Sequence, residues 1–120
     1  MRLLVAGSRS VATFDLSAYI PSDTELIISG GAKGIDAIAE QYADRHGISK
    51  LVLRPDYKRY GRAAPLRRNL CMVELADAVL AVWDGISKGT QYTIECARRK
   101  NKPLTVVMIE GRKKGDTNLK

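Results

Sequence analysis

Three short apolar runs in this chain each stop at a glycine-bearing loop and then give way to a helical pattern. The first run is Leu3, Leu4, Val5 and Ala6, followed by Gly7, Ser8, Arg9 and Ser10. The second ends on Ile27 and Ile28, followed by Ser29, Gly30, Gly31, Ala32, Lys33, Gly34, Ile35 and Asp36. The third runs from Ala78 to Trp83 and continues through Asp84, Gly85, Ile86, Ser87, Lys88, Gly89 and Thr90. Near-continuous apolar strands that alternate with helices indicate a parallel sheet covered on both faces. In such a sheet the loops beyond the carboxyl ends of the strands share one edge, where ligands bind.

The remaining elements follow from periodicity and from breakers. Strands are expected over residues 2–6, 25–29, 50–54, 78–83 and 104–109. Helices are expected over 14–20, 34–46, 66–76 and 90–100, with a polar, aromatic loop across 55–65. Ile35, Ile38, Ala39, Tyr42 and Ala43 recur at helical spacing, as do Leu66, Leu70 and Val73. Gly47 is a natural helix stop, and Pro21 and Pro103 mark breaks. The fold class is therefore α/β. With right-handed crossovers it is a Rossmann-like three-layer α/β/α sandwich around a five-stranded parallel sheet. The expected strand order is 3-2-1-4-5, which puts the loops after strands one and four at the switch point. Residues 1–110 are expected to form one domain, and 111–120 a disordered basic tail.

The whole chain narrows the function classes further. It has 120 residues and a formal charge of +7. Arg112, Lys113, Lys114 and Lys120 stand against Asp116 in the tail, so the body is only moderately basic. A basic surface attracts phosphate ligands and nucleic acid alike. No apolar run approaches the ~20 residues of a membrane span, and no signal peptide is expected, so the expected location is cytoplasmic. Cys71 and Cys96 lack neighbours at metal-ligand spacing and read as small buried residues in a reducing compartment. No Ser/His/Asp, Cys/His or metal-ligating constellation can be assembled.

The glycine loops carry the functional signal. Glycines allow sharp turns and let a ligand approach the main chain. A helix start adds unpaired N–H groups and a partial positive charge, and together these favour a phosphate. The expected ligand-binding residues are Gly7, Ser8, Arg9, Gly30, Gly31, Lys33, Gly34, Asp36, Arg68, Asn69, Gly85, Gly89 and Thr90. Arg9 and Arg68 would meet phosphate through a planar fork of donors, and Lys33 as a point charge. Asp36 reads either as a carboxylate stabilised by the helix dipole or as an acceptor for ribose hydroxyls. Asn69 could bond a base, a ribose or a loop backbone. Tyr57 and Tyr60 flank the mouth and could stack on a base. Trp83 and His46 read as a core residue and a solvated helix end.

Ala6-Gly7-Ser8-Arg9, the segment from Ser29 to Asp36, the segment from Tyr60 to Asn69, and Lys88-Gly89-Thr90 together resemble the SLOG superfamily. The resemblance is to its YspA/YpsA-like branch and covers about residues 2–109. It implies a Rossmann-like fold and a nucleotide-derived ligand. Two more distant relatives are the Lonely Guy phosphoribohydrolases and the DNA-processing protein of natural transformation. Arg68 matches the hydrolases' helical arginine. Their glutamate does not carry over, because Thr93 stands at that position and Glu95 lies two residues later.

The expected function is binding or sensing of a nucleotide or ADP-ribose-like ligand, with no metal. The alternatives are a nucleotide N-glycosidic hydrolase using Arg68, Glu95 and Asp36, and a nucleic-acid-binding protein. A homodimer or larger homo-oligomer is expected, partly from the resemblance.

Overall fold

A computed structural model describes residues 1–109; the basic tail expected over 111–120 lies outside the described residues. The strands are β1 (Arg2–Gly7), β2 (Leu26–Ser29), β3 (Ser49–Val52), β4 (Ala78–Trp83) and β5 (Leu104–Met108). They form one sheet in the order β3-β2-β1-β4-β5, and every pairing is parallel. The helices are α1 (Ile35–His46), the single turn α2 (Tyr57–Tyr60), α3 (Ala64–Leu75) and α4 (Lys88–Arg99). This is the expected Rossmann-like α/β sandwich.

Burial explains the order. Leu3, Leu4, Val5 and Ala6 of β1 and Val79, Leu80, Ala81 and Val82 of β4 are all buried, as strands covered on both faces must be. One face packs Leu3, Val5, Ile27, Leu80 and Val82 against Ile35, Ala39 and Ala43 of α1. The other packs Leu4, Ile28 and Val79 against Met72 and Val73 of α3 and Cys96 and Ala97 of α4. β3 is an edge strand whose Ser49, Lys50 and Leu51 are exposed.

Several expectations fail locally. Residues 14–20 form no helix, with a single turn over 17–19. The Asp15 carboxylate accepts from the Ser17 amide at 3.0 Å and the Ser17 hydroxyl at 2.6 Å, which competes with a helical turn. Seven residues are also too few to offset helix nucleation. The segment still covers the sheet, because Leu16 is buried with Val11, Phe14 and Ile20 packed around the same cluster. The loop across 55–65 contains α2, capped by Asp56, whose side chain accepts from the Arg59 amide, and a 3-10 turn at Gly61–Ala63. Cys71 is exposed rather than buried, and so is Leu66, because both lie off the face of α3 that meets the sheet. Among the described residues no helix is long and apolar enough to cross a membrane.

Candidate functional site

The carboxyl ends of β1, β2 and β4 bring their three loops together, and Ser8 ties them. Its amide donates to the Val82 carbonyl at 3.1 Å, and its carbonyl accepts from the Ile35 amide at 3.3 Å. Its hydroxyl accepts from the Asp84 amide at 3.1 Å. Ser8 is 1% exposed, so this residue after β1 locks the start of α1 to the loop after β4. Gly7 ends β1 and lines the cleft beside it.

The loop after β2 is filled by the protein itself. Gly34 has φ 72°, and a side chain there would run into the carbonyl of Ser8 and the backbone of Arg9. Only glycine combines that backbone conformation with that contact. A Cβ on Gly30 would meet the Arg68 guanidinium at 2.9 Å and the Asp36 carboxylate at 3.0 Å. Asp36 turns back over the loop and accepts from the Ala32 amide at 3.2 Å. The Ser29 hydroxyl accepts from the Gly31 amide at 3.1 Å and donates to Glu40 at 2.8 Å. Arg54 donates to the Gly31 carbonyl at 3.2 Å. Burial pushes the Asp36 carboxyl above the usual carboxylate range; the Ala32 amide and Arg68 pull it back only in part, and Glu40 adds to the rise.

Arg68, on α3, spans the ends of two strands. One guanidinium nitrogen donates to the Gly30 carbonyl at 2.7 Å and the Leu53 carbonyl at 3.0 Å, while Nε donates to Asn69 Oδ1 at 2.7 Å. It is half-buried rather than a free surface charge. Burial lowers its pKa, and Asp36 opposes that effect. Asn69 is buried and donates to the Gly89 carbonyl at 3.4 Å, so its side chain holds the first turn of α4.

The loop after β4 is built differently. Asp84 Oδ1 accepts from the Ile86 and Ser87 amides, each at 2.9 Å. Burial alone would raise the Asp84 pKa; the Ser87 and Ile86 amides and the Ser8 hydroxyl outweigh it, and the net shift is downward. Ser87 caps α4, its hydroxyl accepting from the Thr90 amide at 3.5 Å, and its carbonyl accepts from the Trp83 indole at 2.9 Å. Those bonds leave the Lys88 and Gly89 amides of the first turn without an intrahelical acceptor. Beyond its chain neighbours and the backbone of α4 itself, nothing lies within 4 Å of where a Gly89 Cβ would sit. Thr93 is buried, and its hydroxyl donates to the Gly89 carbonyl at 3.2 Å.

A cleft of about 100 Å³ opens between these parts, with Gly7, Arg9, Asp36, Arg68, Gly89 and Thr90 among its lining. Asn69 also lines it. Lys33 and Gly85 are exposed and do not line it, and Gly30, Gly31 and Gly34 shape the loop beneath. Glu95 is exposed on α4, with Gln91 at 3.4 Å, away from Arg68 and Asp36. Four contributors escaped the sequence reading: Glu40, Arg54, Ser87 and Thr93. Ser87 had a signal, since a serine at a helix start is a common cap. Glu40 falls one helical turn after Asp36, which also could have marked it. Arg54 reaches Gly31 across 23 residues of chain and had none, while Thr93 was marked only as the residue standing where the distant hydrolases carry their glutamate. Among the described residues, no cluster of His, Cys, Asp and Glu could hold a metal ion.

Comparisons with known proteins agree with this architecture. The model of the YspA, cpYpsA-related SLOG family matches residues 1–60, which contain the first two loops but neither Arg68 nor the α4 turn. The Gene 61 protein of Mycobacterium phage D29 is 31% identical over 85 residues, covering 66% of this chain and 68% of that protein. No solved structure matches. With its β1 and β2 loops inside the matched half and a phage relative spanning most of its length, the chain belongs to the YspA, cpYpsA-related SLOG family.

Proposed function

We propose that the protein binds a nucleotide-derived ligand at this cleft, with phosphate at the first turn of α4 and ribose hydroxyls toward Asp36. Family membership points to the binding or processing of nucleotide-related ligands. The observation that carries the reading is the open first turn of α4, where Gly89 leaves room beside Arg9 and Thr90. A phosphate there meets unpaired amides and the positive end of the helix dipole. Arg9 is exposed, and its guanidinium can fork onto phosphate oxygens. Asp36 supplies an acceptor for sugar hydroxyls. Ser8 already bonds the loop after β4, and Asn69 and Thr93 already bond the first turn of α4, so a ligand meets a site ordered in advance.

A thermal-shift panel of AMP, ADP, ADP-ribose and inorganic phosphate tests this. A ligand at about 100 times its Kd stabilises by ~2.7 kcal/mol. A flat panel removes the reading. A hydrolase built on this cleft would need an acid or base at the sugar, and Asp36 is the carboxylate lining it. Release of free base from AMP that disappears in Asp36→Asn would replace the binding reading with the hydrolytic one.

A further inference from the structure

Arg68 lines two hollows, and only one of them is the cleft above. The other, of about 400 Å³, lies toward the β3 edge, between the chain leaving β3 and the outer side of α3. Its apolar lining comes from Leu53, Ala64 and Leu70. Tyr60, Arg54 and Arg67 line it too. The Arg67 guanidinium lies over the Tyr60 ring, 4.5 Å from the centroid, with Arg59 at 5.4 Å.

The charges here are unevenly committed. Asp56 and Glu74 also line the hollow. Asp56 accepts the Arg59 amide at 3.2 Å as the cap of α2. Glu74 pairs with Lys100 at 3.2 Å. Each carboxylate thus carries one partner, and the lining sets three arginines against these two acids. Arg67 has its cation–π partner, and Arg54 bonds one backbone carbonyl, so both guanidinium groups keep donors for an incoming anion. A flat guanidinium held on a tyrosine ring presents a cationic plane on which a heterocycle can stack.

Size separates the two hollows. A volume near 400 Å³ falls in the range of small-molecule sites, roughly 300–1,000 Å³, whereas the cleft's 100 Å³ suits only a phosphate-and-sugar fragment. A mononucleotide with its phosphate at α4 and its base turned away from Arg68 would leave the larger hollow unfilled. We infer that the second hollow is the other half of the site and takes a second nucleoside, so that the ligand is a dinucleotide whose linking phosphates pass Arg68. Arg67 and Tyr60 then select for the second base, and Arg54 for the linking charge. This rests on the nucleotide reading of the first cleft. The linkage can be a pyrophosphate or a 3′,5′-phosphodiester, which share this chemistry.

Calorimetric titration of the folded chain with AMP, ADP, NAD and the 5′-phosphorylated dinucleotide pApA tests the inference. At least one dinucleotide should bind about 10-fold or more tighter than AMP, a gain of the size one added set of contacts supplies. NAD in the lead identifies the pyrophosphate linkage, and pApA in the lead the phosphodiester. ADP adds charge without a second nucleoside and should not reproduce the gain. Cys71 is exposed and lines the hollow, so Cys71→Trp fills it without crowding the core. Cys71→Trp and Arg67→Ala should each bring the ratio of dinucleotide to AMP affinity close to one. AMP binding with no dinucleotide gain, a gain matched by ADP, or a ratio untouched by both variants would overturn the inference while leaving the first cleft standing. No binding of any of the four would remove both.

Discussion

The turns after β2 and β4 carry similar glycine spacing yet end as opposites. Between Ser29 and Asp36 the space above the backbone is taken by the chain's own groups: Asp36 on the Ala32 amide, Arg68 on the Gly30 carbonyl, Arg54 on the Gly31 carbonyl. Between Asp84 and Thr90 the polar groups are used inside the turn, and the ground above Gly89 is empty. Glycine in the first turn makes room for protein side chains; in the second no side chain of the protein takes up the room. A glycine-rich strand-to-helix loop therefore does not identify an anion cradle by itself. What decides is whether a later side chain comes back to occupy it.

The comparison can be broken most easily at Gly34. Any side chain there must adopt a left-handed conformation and clear the Ser8 carbonyl. Gly34→Val should cost about 2–4 kcal/mol in chemical denaturation, the scale of combined backbone strain and overpacking. A stability close to wild type would mean that the loop after β2 is not held as described. Arg68→Ala comes next. It removes bonds to two backbone carbonyls and to Asn69, and should cost about 1.5–3 kcal/mol. A surface role alone would leave the denaturation midpoint where it is.

The two aspartates sharpen the contrast through pH. Burial raises the Asp36 pKa above its ordinary 3.8, so the ionised form costs stability at neutral pH, and that cost fades as pH falls through the raised value. Asp36→Asn should therefore be more stable than wild type at pH 7, with the gap closing on acidification. Asp84 runs the other way. Its amide bonds lower its folded pKa below 3.8, so its contribution is present above that value and is lost as pH falls through the folded one. Asp84→Asn should be less stable than wild type at pH 7, and the deficit should shrink in acid. Urea midpoints across pH 2 to 8 (roughly the span over which carboxylates titrate) check both signs. Two gaps of the same sign would contradict the assigned environments.

Much of this fold was legible because it rests on local patterns. Strands buried on both faces read as apolar runs, and helices facing one side of a sheet read as apolar stripes at 3.6-residue spacing. The strand order came from the fold type that this alternation implies and its switch point. The segment 14–20 misled because the α/β alternation places a helix between the first two strands, while Asp15 and Ser17 hold the backbone out of one. In the site, Gly7, Ser8, Arg9 and Asp36 could be named from sequence because strand ends mark ligand edges. Thr93 bonds the Gly89 carbonyl one turn back in α4, a local bond that no sequence pattern singles out. Arg54 could not be named, since its position depends on a tertiary contact with Gly31. The occupation of the β2 turn by Asp36 and Arg68 was hidden for the same reason. Arg68 lies 38 residues from Gly30 in sequence, and no local pattern registers that contact.

Gly89→Leu is the most direct probe of the open turn. Leucine favours helices over glycine by up to about 1 kcal/mol, so the fold should be retained, while the side chain enters the space left for phosphate. Nucleotide affinity measured by calorimetry, with helix content checked by circular dichroism, should fall by about 10-fold or more, at least 1.4 kcal/mol, relative to wild type. A folded Gly89→Leu that binds nucleotide as tightly as wild type would contradict the assignment of the α4 turn as the ligand site.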